Sequence, residues 1–206
     1  MLDLEKQYYN EKVKYIAGTD EAGRGCLLGP VVASAVIFPS DFFDERINDS
    51  KKLSEKQREE LFDYIMDNAL AVSVCEISPE EIDEINILEA SRKAMETCIK
   101  NLNHQVDFVL TDAVKLYQCD CPHDAIIKGD AKAQCIAAAS IIAKVTRDRI
   151  CYELDKKYPE YNIKNNKGYG TKDHLEALEE FGPVKGLHRF SYKPVKNSLI
   201  QKISLF

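Results

Sequence analysis

The sequence lacks any apolar run long enough to cross a bilayer. Its longest, Cys26 to Phe38, is too short and is broken by Gly29 and Pro30. Met1 to Lys14 is charged and has no apolar signal core, so a cytoplasmic, membrane-free protein is expected. There is no low-complexity segment and no internal repeat. A disulfide framework is also missing. The seven cysteines (Cys26, Cys75, Cys98, Cys119, Cys121, Cys135 and Cys151) are odd in number and scattered, which suits reduced thiols. Cys119-x-Cys121-x-His123 offers only half of a structural zinc site, which takes four ligands, and reads as a turn that contains thiols.

What is present is ordinary for a globular protein: 206 residues, 45% hydrophobic and 30% charged. That length suits a single catalytic domain over 1–206, with a C-terminal helical extension and tail from about 160 to 206. The net charge of −6 argues at first against a nucleic-acid partner. Its distribution matters more. Residues 1–140 carry 15 basic and 26 acidic side chains, a net of −11, whereas residues 141–206 carry 13 and 8, a net of +5. The C-terminal third can attract phosphate. The acidic remainder suits carboxylates gathered around bound cations, although most of these charges simply belong on a solvated surface.

Periodicity predicts strands over Val13–Thr19, Val31–Phe38 and Ala69–Ile77, then short strands over Asp107–Asp112 and Ala125–Lys128. Ser54-Glu55-Lys56-Gln57 and Ser78-Pro79-Glu80-Glu81 are capping-box patterns that open helices. Further helices are predicted from about Leu88 to Leu102, from Ala131 to about Lys157, and over Thr171–Phe181, where Gly182 and Pro183 stop the last. Strands first and mixed elements later point to an α/β fold, a mixed sheet with helices on its faces.

The informative feature is where the acids stand. Asp20 and Glu21 close the first strand, Asp112 closes the fourth, and Asp130 lies between the fifth strand and the long helix. Strand ends near the middle of a sheet converge, so the four can build one anionic site. Such a cluster is costly unless cations compensate it. Mg²⁺ and Mn²⁺ favour carboxylate oxygen, and two such ions roughly 4 Å apart serve in-line phosphoryl displacement. Adjacent strand residues face opposite ways, so the first strand is expected to end or bulge at Asp20-Glu21, with Gly23 and Gly25 supplying the freedom. Each acid also has a plainer role open to it: Asp130 as the N-cap of the long helix, Asp112 as a turn residue, Asp20-Glu21 as a solvated turn.

The local sequences carry a resemblance. Gly18-Thr19-Asp20-Glu21-Ala22-Gly23-Arg24-Gly25 with Leu28-Gly29-Pro30-Val31-Val32-Ala33, then Asp49-Ser50-Lys51-Lys52-Leu53 and Asn86-Ile87-Leu88, resemble the type 2 ribonucleases H, in the HII branch. Lys128-Gly129-Asp130-Ala131-Lys132, Ala137-Ala138-Ala139-Ser140 through Asp148, and Lys167-Gly168-Tyr169-Gly170-Thr171 continue the match in order, from about residue 15 to 194. The related HIII branch carries an extra N-terminal domain, and a first signature near residue 16 favours HII.

The resemblance implies a ribonuclease H-like five-stranded mixed sheet flanked by helices. It implies Asp20, Glu21, Asp112 and Asp130 as catalytic, metal-binding carboxylates for Mg²⁺ or Mn²⁺. It makes Gly23, Arg24 and Gly25 the loop that reads the ribose 2′-hydroxyl through backbone groups, and Tyr169 the ring that stacks on the sugar just after the ribonucleotide and helps sense the RNA-to-DNA junction. The implied substrates are RNA–DNA hybrids and single ribonucleotides embedded in duplex DNA, cut on the 5′ side of the ribonucleotide to leave a 3′-hydroxyl and a 5′-phosphate. The 2′-hydroxyl is the local group that separates RNA from DNA, and glycines let backbone approach it. Lys51 and Lys52 either bind phosphate or are solvated. His188-Arg189 either touches DNA or belongs to a structural tail. A monomer is expected.

Other readings keep the acids but change the target: a junction resolvase or transposase-like nuclease, a non-catalytic nucleic-acid or clamp-binding module, or a metal binder with no nuclease role. The first does not need the Gly-Arg-Gly loop with Tyr169, the second does not need four acids, and the third leaves the basic third unexplained. Separately, Gln201 to Phe206 resembles the short peptides that dock on bacterial sliding clamps, though such a tail can equally tuck back onto its own domain. Deleting residues 201–206 is expected to abolish pull-down by a clamp and leave cleavage intact; unchanged pull-down rejects that peptide.

Overall fold

Five short strands build one mixed sheet, in the order β3-β2-β1-β4-β5. The computed structural model describes residues 4–203. In it β1 is Ile16–Ala22, β2 Val31–Ile37, β3 Ala71–Ile77, β4 Phe108–Asp112 and β5 His123–Ile126. β1 is central, antiparallel to β2 and parallel to β4, and β4 is parallel to β5. Every residue of β2 is buried, which is why its sequence is continuously apolar or small rather than alternating.

The helices are α1 Glu55–Asn68, α2 Pro79–Ile85, α3 Ile87–Lys100, α4 Gln134–Lys157, α5 Ile163–Asn166, α6 Lys172–Phe181 and α7 Lys193–Ile203. Ser54 and Gln57 form the reciprocal capping box of α1. Ser78 caps α2 with Pro79 in its first turn, and Thr171 caps α6. The mixed sheet, flanking helices and C-terminal helices are the α/β architecture expected from the sequence.

The chain groups into two compact units. One comprises Met1–Ala22, Val32–Cys75 and Arg92–Val145; the other comprises Gly23–Val31, Glu76–Ser91 and Thr146–Phe206. In the first, Val36, Phe38 and Ile47 pack with Leu61 and Ile65 of α1 and with the Ala137–Val145 stretch of α4. A smaller cluster joins Ile16 and Leu110 to Ala133, Cys135 and Ile136, with Leu4 and Tyr8 packed against it. In the second, Leu27, Leu28, Tyr161, Leu178, Leu187 and Val195 form a core of their own.

Besides the start of β1, which falls at Ile16 rather than Val13, three features near the acids differ from the sequence reading. β5 lies two residues earlier than expected, because Lys128 adopts a left-handed backbone (φ 57°) and residues 129–131 form a 3-10 turn. α4 therefore begins at Gln134, and Asp130 is not its N-cap. The Glu5 carboxylate instead accepts the Cys135 N–H in the first turn of α4. Third, β1 neither ends nor bulges at Asp20: regular pairs Asp20↔Ser34, Glu21↔Ala33 and Ala22↔Val32 continue its ladder with β2. Of the tail peptide, Gln201 to Ile203 fall within α7, while Ser204 to Phe206 lie outside the described residues.

α4 meets β1 at Gly18. A Cβ there would collide with the carbonyl carbon of Cys135 and the amide nitrogen of Ile136, so only glycine permits this approach. Gly18→Ala is expected to cost about 1–3 kcal/mol by overpacking, read as a lower denaturant midpoint. An unchanged midpoint would mean that helix and strand are not so closely apposed.

Candidate active site

The acids of the first unit gather because of sheet register. The parallel β1–β4 ladder closes at the pair Thr19↔Thr111. The next residues on these two neighbouring strands are Asp20 and Asp112. In a parallel pair, residues side by side point to the same face. β4 then stops abruptly, since Ala113 takes a left-handed conformation (φ 57°). The turn after β5 is tied back by the Gly129 N–H, which donates to Asp112 Oδ1 at 2.8 Å. That bond brings the next residue, the buried Asp130, toward the same end of the sheet.

A second layer holds these side chains. Asp20 Oδ1 accepts the Glu21 N–H at 2.8 Å, and Ser140 of α4 hydrogen-bonds the Asp20 carboxylate. Ser140 also meets Ser50, with the two hydroxyl oxygens 2.8 Å apart. Ser50 starts a 3-10 turn, Ser50–Lys52, capped by Asp49. From this turn Lys51 Nζ reaches Asp130 Oδ2 at 3.4 Å. Lys52 does not join the acids; it is exposed and lies 3.8 Å from Asp49.

The electrostatics follow from this crowding. Burial, then the charges of Glu21 and Asp112, pushes the Asp20 carboxyl well above its ordinary value, and the Ser140 bond opposes this. Asp112 is raised as well, chiefly by burial and then by Asp130, against the pull of Gly129 and Lys51. Burial depresses the Lys51 ammonium, but Asp130, Asp20 and Asp49 outweigh it and hold the lysine protonated. Among the described residues, no group of three or more ligating side chains is already closed around one point. The donor set nonetheless fits a hard cation: carboxylate oxygens, raised pKa values, and an ammonium that takes up the role of counter-ion.

The second unit contains the loop expected to read ribose. Gly23 is buried with φ 99°, and a Cβ on it would run into the Arg147 side chain. Arg147 is only 1% exposed. Its Nε donates to the Pro30 carbonyl at 3.1 Å, Nη1 to Lys167 at 2.8 Å and Nη2 to Leu28 at 3.1 Å. Arg189, 0% exposed, donates from Nε and Nη2 to the Gly29 carbonyl and from Nη1 to that of Arg24, which also accepts the Tyr192 hydroxyl. The Leu27 N–H donates to the Gly168 carbonyl at 2.7 Å, fastening this loop to the turn that carries Tyr169. Arg24 and Gly25 are exposed, and the Tyr169 ring is 46% exposed, within contact range of Gly25.

His188-Arg189 is therefore buried scaffolding, not a basic surface stretch. Sequence reading gave no role to Arg147 or to the Ser50–Ser140 link, and left that of Arg189 open. Their signal was weak: Arg147 resembles any charged residue of a long helix, and Arg189 any basic residue of a tail.

The family model for ribonuclease HII matches residues 17–195. Ribonuclease HII of Acetivibrio thermocellus is 52% identical over 200 residues, covering 97% of this chain and 77% of that protein. Among solved structures, the ribonuclease H2 of Pyrococcus horikoshii superposes with a TM-score of 0.79 at 27% identity, covering 91% of this chain and 98% of that one. The PCNA–RNase HII complex of Archaeoglobus fulgidus gives 0.72 at 29% identity, covering 87% and 95%. Placed beside the acids at the end of the β1–β4 ladder, these matches show that the chain belongs to the ribonuclease HII family and is a metal-dependent endonuclease of that family, which acts on the RNA of RNA–DNA hybrids.

Proposed function

We propose that this enzyme hydrolyses the phosphodiester on the 5′ side of a ribonucleotide, in hybrids and at single ribonucleotides within duplex DNA, leaving a 3′-hydroxyl and a 5′-phosphate. The observation that carries this reading is the adjacency of Asp20 and Asp112 beyond the Thr19↔Thr111 pair, with Asp20 raised by burial and the charges of Glu21 and Asp112, and Asp112 raised by burial and the charge of Asp130. Asp20, Glu21, Asp112 and Asp130 would hold two Mg²⁺ or Mn²⁺ ions, whose chemistry is to activate water and stabilise the departing oxygen. Ser140 orients Asp20 and favours its ionised form. Gly129 does the same for Asp112. Lys51, already counter-ion to Asp130, is placed to turn to a phosphate once cations take its role.

Substrate selection falls to the other unit. Gly23, Arg24 and Gly25 offer backbone to the 2′-hydroxyl, held rigid by Arg147 and Arg189. Tyr169 gives a sequence-tolerant surface for the following sugar. The two units act as one catalytic domain. Lys52, exposed and close to Asp49, contributes at most to phosphate attraction. Docking of the tail on a sliding clamp is supported by the solved PCNA complex of the Archaeoglobus fulgidus relative and is tested by the deletion of residues 201–206.

With Mg²⁺ or Mn²⁺, a duplex carrying one ribonucleotide should be cut on its 5′ side and all-DNA duplex left intact. Asp20→Asn should lower the rate about a thousandfold, ~4 kcal/mol of barrier. A cut elsewhere, or full activity in the variant, would reject the reading. Tyr169→Ala should weaken cleavage at the single ribonucleotide more than along continuous hybrid; equal losses would remove its junction role.

The pKa shifts also predict a stability trend. A carboxyl raised in the fold binds its proton more tightly folded than unfolded. Stability of the metal-free protein should therefore fall as pH rises from the ordinary carboxylate range through the folded-state value. Asp20→Asn should be more stable than the parent at pH 7 without metal, an advantage that shrinks toward pH 4 and in excess Mg²⁺. Thermal midpoints check it, and a less stable variant at pH 7 would contradict it.

A further inference from the structure

One buried pair of titratable side chains has no part in the chemistry above. His174, in the first turn of α6, and His188 meet with their Nε2 atoms 3.3 Å apart, and both are buried. Their other contacts fix where the protons are. His188 Nδ1 lies 3.0 Å from the Val184 backbone nitrogen, whose N–H can only donate. Neutral His188 therefore accepts at Nδ1 and carries its proton on Nε2. His174 Nδ1 lies 2.9 Å from the Tyr169 carbonyl oxygen, which can only accept. Neutral His174 therefore carries its proton on Nδ1 and presents a lone pair at Nε2. The contact between the rings is then an N–H···N bond from His188 to His174.

All three bonds run one way: Val184 N–H to His188, His188 to His174, His174 to the Tyr169 carbonyl. Protonating either ring would set two donors face to face. Burial depresses both imidazoles, His188 to about 4 with help from His174. The Tyr161 ring lies edge-on to His188 at 4.8 Å, and its hydroxyl donates to the Gly182 carbonyl at 2.6 Å. At the receiving end, the Tyr169 carbonyl also accepts the Thr171 N–H at 2.8 Å. Its two lone pairs are thereby filled, and the backbone under the exposed Tyr169 ring has one orientation.

We propose that His174 and His188 are positioning residues: a one-way hydrogen-bond relay, ending on the Tyr169 carbonyl, that sets the turn presenting the Tyr169 ring to substrate. The proposal rests on the reading of Tyr169 as the sugar-stacking residue. Neither histidine touches substrate. The relay acts through the turn, so its loss should weaken recognition at the junction more than turnover on saturating hybrid.

Two measurements test it. Long-range ¹H–¹⁵N correlation spectra of the intact protein at pH 7 should show His188 as the Nε2–H tautomer and His174 as the Nδ1–H tautomer. Averaged tautomers, or the reverse assignment, would overturn the relay with no variant needed. His174→Gln removes the donor to the Tyr169 carbonyl, whereas His174→Asn places an amide nitrogen close to where Nδ1 stands. His174→Gln should raise KM for a one-ribonucleotide duplex about 3- to 10-fold, the scale of one hydrogen bond, with kcat on continuous hybrid nearly unchanged. His174→Asn should restore most of that loss. Equal losses in both variants, or a fall in kcat alone, would reduce the pair to core packing and overturn the proposal. If Tyr169→Ala weakens junction cleavage and His174→Gln does not, the relay fails while the role of Tyr169 stands. If Tyr169→Ala itself has no effect, that role fails and the functional half of the proposal with it, whatever the tautomers show.

Discussion

Like charge held at the middle of a sheet is the constraint on which this protein turns. Asp20 and Asp112 follow the last paired residues of two adjacent parallel strands, so the backbone ladder itself holds their carboxylates together. Nothing in the side chains can relax that proximity without breaking the sheet. The surroundings compensate only in part: Ser140 serves Asp20, Gly129 serves Asp112, and Lys51 serves Asp130. These partners orient the acids without neutralising all of them. In the proposed function, the remaining repulsion is a store of affinity for small hard cations, which suits an enzyme of a metal-dependent family. Such a site is expected to weaken the metal-free fold in return for activity.

The second unit solves a different problem. The role proposed for its loop, reading a hydroxyl through backbone, asks that the loop be close, bare and rigid at once. Glycine gives closeness but brings freedom with it. Arg147 and Arg189 remove that freedom by driving six donors into five carbonyls, those of Arg24, Leu28, Gly29, Pro30 and Lys167. A buried guanidinium stripped of these acceptors would be very costly, so the arrangement is self-enforcing: the arginines need the carbonyls as much as the loop needs the arginines. The neighbouring Tyr169 turn is held through neutral donors and acceptors in series, where direction of the bonds replaces charge.

Much of this was legible in the residues. The four acids stood out by position, and the β-branched run at Val31 and the capping serines at 54 and 78 marked their elements correctly. The errors are local. Ile127 looks like strand and draws the expected β5 two residues too late, whereas the left-handed backbone at Lys128 is a tertiary demand that no propensity reveals. Asp130 looked like a helix cap because aspartate before an alanine-rich helix usually is one; the amide of Cys135 is served by Glu5, 130 residues away. The expected bulge at Asp20-Glu21 came from reading alternation as an obstacle, and β1 stays paired to Ala22. For His188 and Arg189 the sequence leaves DNA contact and a structural role both open, and their burial favours the structural one.

If the proposed metal site is right, the raised carboxyls of the acid cluster exchange protons for cations. Calorimetric titration of the metal-free enzyme with Mg²⁺ or Mn²⁺ near pH 6, in buffers of differing ionisation enthalpy, reads this directly. Net proton release is expected on binding by the parent, reduced in Asp112→Asn. Binding with no proton release, or release undiminished in the variant, would contradict it.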